Sequence, residues 1–65
     1  MKGHVKRVFA DKGFGFIKGE DGVDYFVHHS AMRGARLDEL SANAPVTFQP
    51  GQGDKGPRAE DVELA

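Results

Sequence analysis

A chain of 65 residues with no Cys makes one small domain, expected to span residues 1–65, and excludes disulfides or thiolate metal sites as supplements to its core. Hydrophobic residues make up 38% and charged residues 29%, the balance of a folded globular chain and not of a disordered one. The formal net charge of -1 argues against a blanket electrostatic nucleic-acid binder, but residues 1 to 36 hold seven Lys and Arg against four carboxylates, and residues 37 to 65 hold two against six.

From Lys2 to Ala10 an imperfect alternation predicts a first strand with Val5 inward and an irregularity near Arg7 to Phe9. Asp11-Lys12-Gly13 supplies a tight turn, and the second strand runs from Phe14 to Lys18. Gly15, between two Phe, suits a place where a flat group or a neighbouring backbone comes close. Gly19-Glu20-Asp21-Gly22 is a second hairpin turn, followed by a strand from Val23 to His28. Ser30 is expected to cap a short helical turn through Ala31, Met32 and Arg33, ended by Gly34. In the connection that follows, Leu37 and Leu40 have the spacing to tack a loop onto the core. A fourth strand spans Pro45 to Pro50 with Val46 and Phe48 inward; Gly51 to Gly56 reads as a flexible turn; a fifth strand spans Pro57 to Leu64, its apolar members being Ala59, Val62 and Leu64. Five short strands without a long helix predict an all-β fold, a small barrel or sandwich, and closure into a barrel removes exposed edges.

The chemistry sits on the second and third strands. Phe14 and Phe16 are two residues apart, as are Phe26 and His28, so each pair shares one face while Ile17, Tyr25 and Val27 take the other. A face of three Phe and a His beside Lys12 and Lys18 is costly to leave in water, and a planar, anionic ligand such as single-stranded nucleic acid fits it.

Lys12-Gly13-Phe14-Gly15-Phe16-Ile17 resembles the first nucleic-acid-binding motif of the bacterial cold-shock proteins, and Tyr25-Phe26-Val27-His28-His29-Ser30-Ala31 resembles their second. The resemblance continues through Val46-Thr47-Phe48 to Lys55-Gly56-Pro57-Arg58 and covers nearly the whole chain. It implies a five-stranded antiparallel OB-fold barrel with a short 3-10 turn after strand three, binding to single-stranded RNA and DNA with low sequence specificity, no cofactor, and an RNA-chaperone or regulatory role. Carried over position by position, it implies ligand contacts at Lys6, Lys12, Phe14, Phe16, Phe26 and His28, with Lys55 and Arg58 contributing from the last turn. Three positions depart from the family: Arg7 stands in place of an exposed Trp, and His29 and Leu37 each in place of a Phe. Arg7 and His29 still present flat faces for stacking, so they join the expected contacts, and the departures predict weaker, more salt-sensitive binding over a shorter track. Phe9 could substitute in part for the missing Trp if the first strand is irregular there.

Other classes fit less well. Adjacent His28 and His29 point to opposite faces of a strand and His4 has no spacing relation to them, so no metal site is expected. Asp24, His28 and Ser30 lack the geometry of a triad, Gly13-Phe14-Gly15 is no phosphate loop, and neither an enzyme nor a small-molecule substrate is expected. No apolar run approaches the roughly 18 residues of a membrane span and Met1 to Lys6 lacks the apolar block of a signal peptide, so the expectation is a soluble, cytoplasmic monomer without a membrane partner. The alternative from another class is a protein-interaction or self-associating barrel whose aromatic face binds a protein, with weak or no nucleic-acid binding.

Overall fold

Five strands carry the chain: β1 (Lys2–Phe9), β2 (Phe14–Gly19), β3 (Asp24–His28), β4 (Pro45–Gly53) and β5 (Gly56–Leu64), with 3-10 turns at His29–Ala31 and Leu37–Glu39. The computed structural model describes residues 1–54 and 56–65; Lys55 lies outside the described residues. The strands close in the order β1-β2-β3-β5-β4, with β4 returning to β1. Four ladders are antiparallel, and the seam between β3 and β5 is parallel, made by Phe26 opposite Arg58 and continued by a bridge from Met32 to Val62. This is the expected all-β, OB-fold barrel, without an open edge.

The interior follows from strand alternation. Ile17 on β2 faces Tyr25 on β3, and with Val5, Val27, Val46, Phe48, Ala59 and Val62 they form the buried cluster. Leu37 and Leu40 are both buried, so the long connection is tacked onto the barrel as its spacing predicted. Leu37 therefore belongs to the core and leaves no surface platform at its position. Of the apolar members of the fifth strand, Ala59 and Val62 are buried and Leu64 is 48% exposed, at the end of β5 where the ladder with β4 runs out.

Two bulges place the apolar residues that simple alternation would misdirect. On β1 the register steps from Val5 opposite Ile17 to Arg7 opposite Phe16, so Lys6 is the extra residue. The irregularity thus falls one residue before the predicted segment. Lys6 and Arg7 both stay outside, and Val8 packs against the core. Between β4 and β5 a step of two residues, from Thr47 to Gln49, is matched by a step of three, from Glu63 to Glu60, so β5 carries one extra residue. Asp61 takes φ +51 there, which lets Ala59 and Val62, three apart, both point inward.

Other boundaries differ from the sequence expectation for local reasons. β4 runs on to Gly53, since Gly51, Gln52 and Gly53 pair with Arg58, Pro57 and Gly56 through backbone groups alone, where side chains carry no strand signal. The first helical turn is His29–Ala31 and not Ala31 to Arg33, and its cap is His28, whose Nδ1 accepts the Ser30 N–H at 3.3 Å. Gly15 has the close-approach role expected of it: a Cβ there would stand 2.8 Å from the Arg7 carbonyl oxygen, so the β1 and β2 backbones meet only because no side chain intervenes.

A hydrogen-bonded pair at the barrel rim gives the fold a pH signature. The Tyr25 hydroxyl donates to Asp21 Oδ2 at 2.6 Å and the Val23 N–H to Asp21 Oδ1 at 3.1 Å. These bonds, the tyrosine's first, hold the Asp21 carboxyl below its ordinary value, and the same bond raises the Tyr25 hydroxyl. Asp24 is also lowered, chiefly by its hydrogen bond from Lys6. A depressed carboxyl stabilises the fold above its unfolded value, near 3.9, and loses that contribution as pH falls through the folded one; a raised tyrosine contributes below about 10 and loses it as pH rises. Urea midpoints are accordingly expected to be flat from about pH 5 to 9 and to fall on either side. Asp21→Asn should be less stable at neutral pH and should show a smaller acid drop; an unchanged acid profile would separate Asp21 from the effect.

Candidate nucleic-acid interface

The outer face of β1, β2 and β3 collects the side chains that alternation keeps from the core. Phe14 pairs with His28 and Phe16 with Phe26 across the β2–β3 ladder, and Arg7 pairs with Phe16 and Phe9 with Phe14 across β1–β2. Directly opposed residues share a face, so six outward side chains lie together. The Phe14 and Phe26 rings are stacked with centroids 5.6 Å apart, and Phe16 stands edge-on to both, at 6.0 and 5.9 Å. None of these rings belongs to the buried cluster; all remain half-buried on the outside.

His28 and His29 come together although strand alternation separates neighbours. The chain leaves β3 at His29, whose N–H donates to the Gly13 carbonyl at 2.9 Å, and this bond swings the imidazole beside that of His28, with ring centroids 4.2 Å apart. Gly13 is required at this crossing: its φ is +79 and a Cβ would sit 2.9 Å from His29 Cδ2. Because His28 Nδ1 accepts from Ser30 N–H, with Ser30 Oγ 2.8 Å from the same nitrogen, Nε2 is the ring position left to donate outward.

The cations differ in how far they are engaged. Lys6 Nζ lies 2.8 Å from Asp24 Oδ2, both side chains being about half exposed, so this ion pair is screened by salt and open to exchange for another anion. Arg7 and Lys12 both approach the Phe9 ring, each at 6.0 Å from its centroid. Arg58 stands across the seam from Phe26, and its Nε has no hydrogen-bond partner among the described residues, the Glu60 carboxylate being 3.8 Å away. Lys55 lies outside the described residues.

Three grooves follow one another over this face. The first, about 420 Å³, lies between Lys6, Arg7, Phe9, Phe16 and Phe26. The second, about 280 Å³, lies between Phe26, His28, Gly53 and Arg58. The third, about 570 Å³, lies between Lys12, His28, His29 and Arg36. Phe26 is a wall of the first and second, and His28 of the second and third, so the grooves form one track. Phe9, expected to reach this face only if the first strand was irregular, does so because of the bulge at Lys6. Arg36 is a residue of the track that escaped sequence reasoning, since it sits in a connection whose only legible signal was its leucines.

Among the described residues no group of three or more His, Cys, Asp or Glu is placed to hold a metal ion, and no helix is long and apolar enough to cross a membrane. A closed OB-type barrel with an outward aromatic face and a rim of cations is the class that the fold and the site define. The pattern of the 'Cold-shock' DNA-binding domain matches residues 1–65. Cold shock protein 2 of Lactiplantibacillus plantarum is 51% identical over 61 residues, covering 94% of this chain and 92% of that protein. The cold shock protein of Arthrobacter globiformis is 47% identical over 64 residues, covering 97% and 96%, and the cold shock-like protein CspC of Bacillus cereus 45% over 62, covering 95% of each. The chain belongs to the cold-shock domain family, whose members are nucleic-acid-binding proteins and not enzymes.

Proposed function

We propose that the protein binds single-stranded RNA and DNA along this track, as a cytoplasmic monomer of one domain, and acts as an RNA chaperone or regulator. The observation that carries the proposal is the continuity of the three grooves through Phe26 and His28. A nucleotide strand offers flat bases and one anionic phosphate per residue; the track offers flat rings at Phe14, Phe16, Phe26, His28 and His29, with Lys6, Arg7, Lys12 and Arg58 as the cations of its margins. Lys55, outside the described residues, is expected from the sequence to add a further cation. Stacking on any base makes the recognition tolerant of sequence.

The balance between stacking and charge is testable through salt. For single strands the logarithm of affinity falls by about 0.7 per phosphate neutralised for each logarithm of salt, so about three phosphates neutralised by these cations give a slope of roughly -2. Fluorescence anisotropy with a labelled oligothymidylate between low and moderate salt measures it. A slope near zero would leave the proposal without its phosphate contacts. Failure to bind any oligonucleotide, with salt-tolerant self-association or capture of a protein on the same face, would replace it by the protein-interaction reading.

A further inference from the structure

We infer that Phe9, with Arg7 and Lys12 beside it, is a separate base-stacking position that lengthens the track by one nucleotide at its β1 end. The inference rests on the nucleic-acid reading of the face and adds to it a position that neither aromatic motif contains.

The bulge at Lys6 is its origin. Without the extra residue in the register, Arg7 would point inward and Val8 outward; with it, Val8 packs on the core and Phe9 is delivered to the outer face opposite Phe14. Phe9 then continues a row: its ring lies 5.1 Å from Phe14 at 39°, and Phe14 lies 5.6 Å from Phe26 at 29°, while Phe16 stands edge-on beside the row. The ring is not part of the buried cluster, whose nearby place Val8 fills, so the barrel interior does not require an aromatic at this position.

Its surroundings have the composition of a nucleotide site. The Arg7 guanidinium carbon and the Lys12 ammonium nitrogen are each 6.0 Å from the ring centroid, the outer limit of cation–aromatic attraction. Cations held this loosely can move onto a phosphate while the ring takes the base. The groove of about 420 Å³ beside Phe9 connects the position to Phe26. A nucleotide needs one flat apolar face and at least one cation within a sugar's reach of it, and Phe9 with Arg7 and Lys12 supplies both.

The test is the length dependence of binding. Affinities of the full chain and of Phe9→Ala, Phe9→Leu and Phe9→Trp are measured for oligothymidylates of four to eight nucleotides at fixed low salt, with thermal unfolding of each variant. In the unmodified chain affinity rises with length to a plateau. Phe9→Ala and Phe9→Leu are expected to reach theirs one nucleotide sooner and at least about fivefold weaker, with the shortest oligonucleotides bound equally well, while Phe9→Trp keeps the full increment. Equal affinity of Phe9→Leu and the unmodified chain at every length would overturn the inference and leave the track as described. A uniform loss at all lengths would also overturn it, since Phe9 would then only prop up Phe14. If the unmodified chain binds no oligonucleotide at any length, the nucleic-acid reading itself falls, and this position with it.

Discussion

Phe26→Ala is expected to weaken oligonucleotide binding by about 5- to 150-fold while the barrel stays folded. Base stacking on one aromatic ring contributes roughly 1 to 3 kcal/mol, and Phe26 is the phenylalanine that walls two of the three grooves. Its substitution also removes ring contacts with Phe14 and Phe16, at about 0.5 to 1.5 kcal/mol for such a pair, so some stability is lost along with the site. Phe26→Leu separates the two effects: it restores apolar bulk without a flat face, and should recover much of the stability and little of the affinity. Isothermal titration with a hexathymidylate, alongside urea unfolding, gives both quantities. Affinity of Phe26→Ala within twofold of the unmodified chain would remove the aromatic face from the binding mechanism.

Ile17→Ala, next to Phe16 on the same strand, should do the opposite and unfold the protein. Ile17 is fully buried, and truncating such a side chain costs about 2 to 5 kcal/mol through lost transfer energy and the cavity left behind. A single core in a chain of this size rarely supplies more than about 3 to 5 kcal/mol, and there are no disulfides to add to it. The two numbers are of the same size, so loss of the near-ultraviolet circular dichroism signal of Tyr25 and a large unfolded population at 25 °C are expected. A cooperative transition with an undiminished urea midpoint would mean that the barrel does not depend on its β2–β3 layer.

That contrast between neighbours was legible in the sequence because β2 and β3 keep strict alternation. Phe14, Phe16, Phe26 and His28 fall on one side and Ile17, Tyr25 and Val27 on the other, with a period that needs no knowledge of partners. The bulged strands were harder. Val5 and Val8, and likewise Ala59 and Val62, are three apart, a spacing that fits neither a regular strand nor a helix of such short length. Both pairs point inward because one residue between them is left out of the pairing. The extension of β4 through Gly51 to Gly53 left no trace, since its ladder is built from backbone alone. The pairing of Lys6 with Asp24 joins residues 18 positions apart on different strands, so no local pattern carries it. Composition and local pattern carried the fold and the centre of the face; the margins depended on register, which is decided between strands.

The spacing of the rings has a mechanical consequence for any strand laid across them. Phe9, Phe14 and Phe26 sit on the outside of a barrel only 23 × 23 × 18 Å across, with successive centroids 5.1 and 5.6 Å apart and planes tilted by 39° and 29°. In a duplex, neighbouring bases of one strand rise by about 3.4 Å and lie nearly parallel. Bases seated one to a ring are thus pulled beyond the distance at which they stack on each other and fanned out of parallel. A strand so held would not at the same time keep helical pitch with a complementary strand, so under the proposed function the curvature of the barrel, set by the core on its other side, would favour single-stranded over paired nucleic acid.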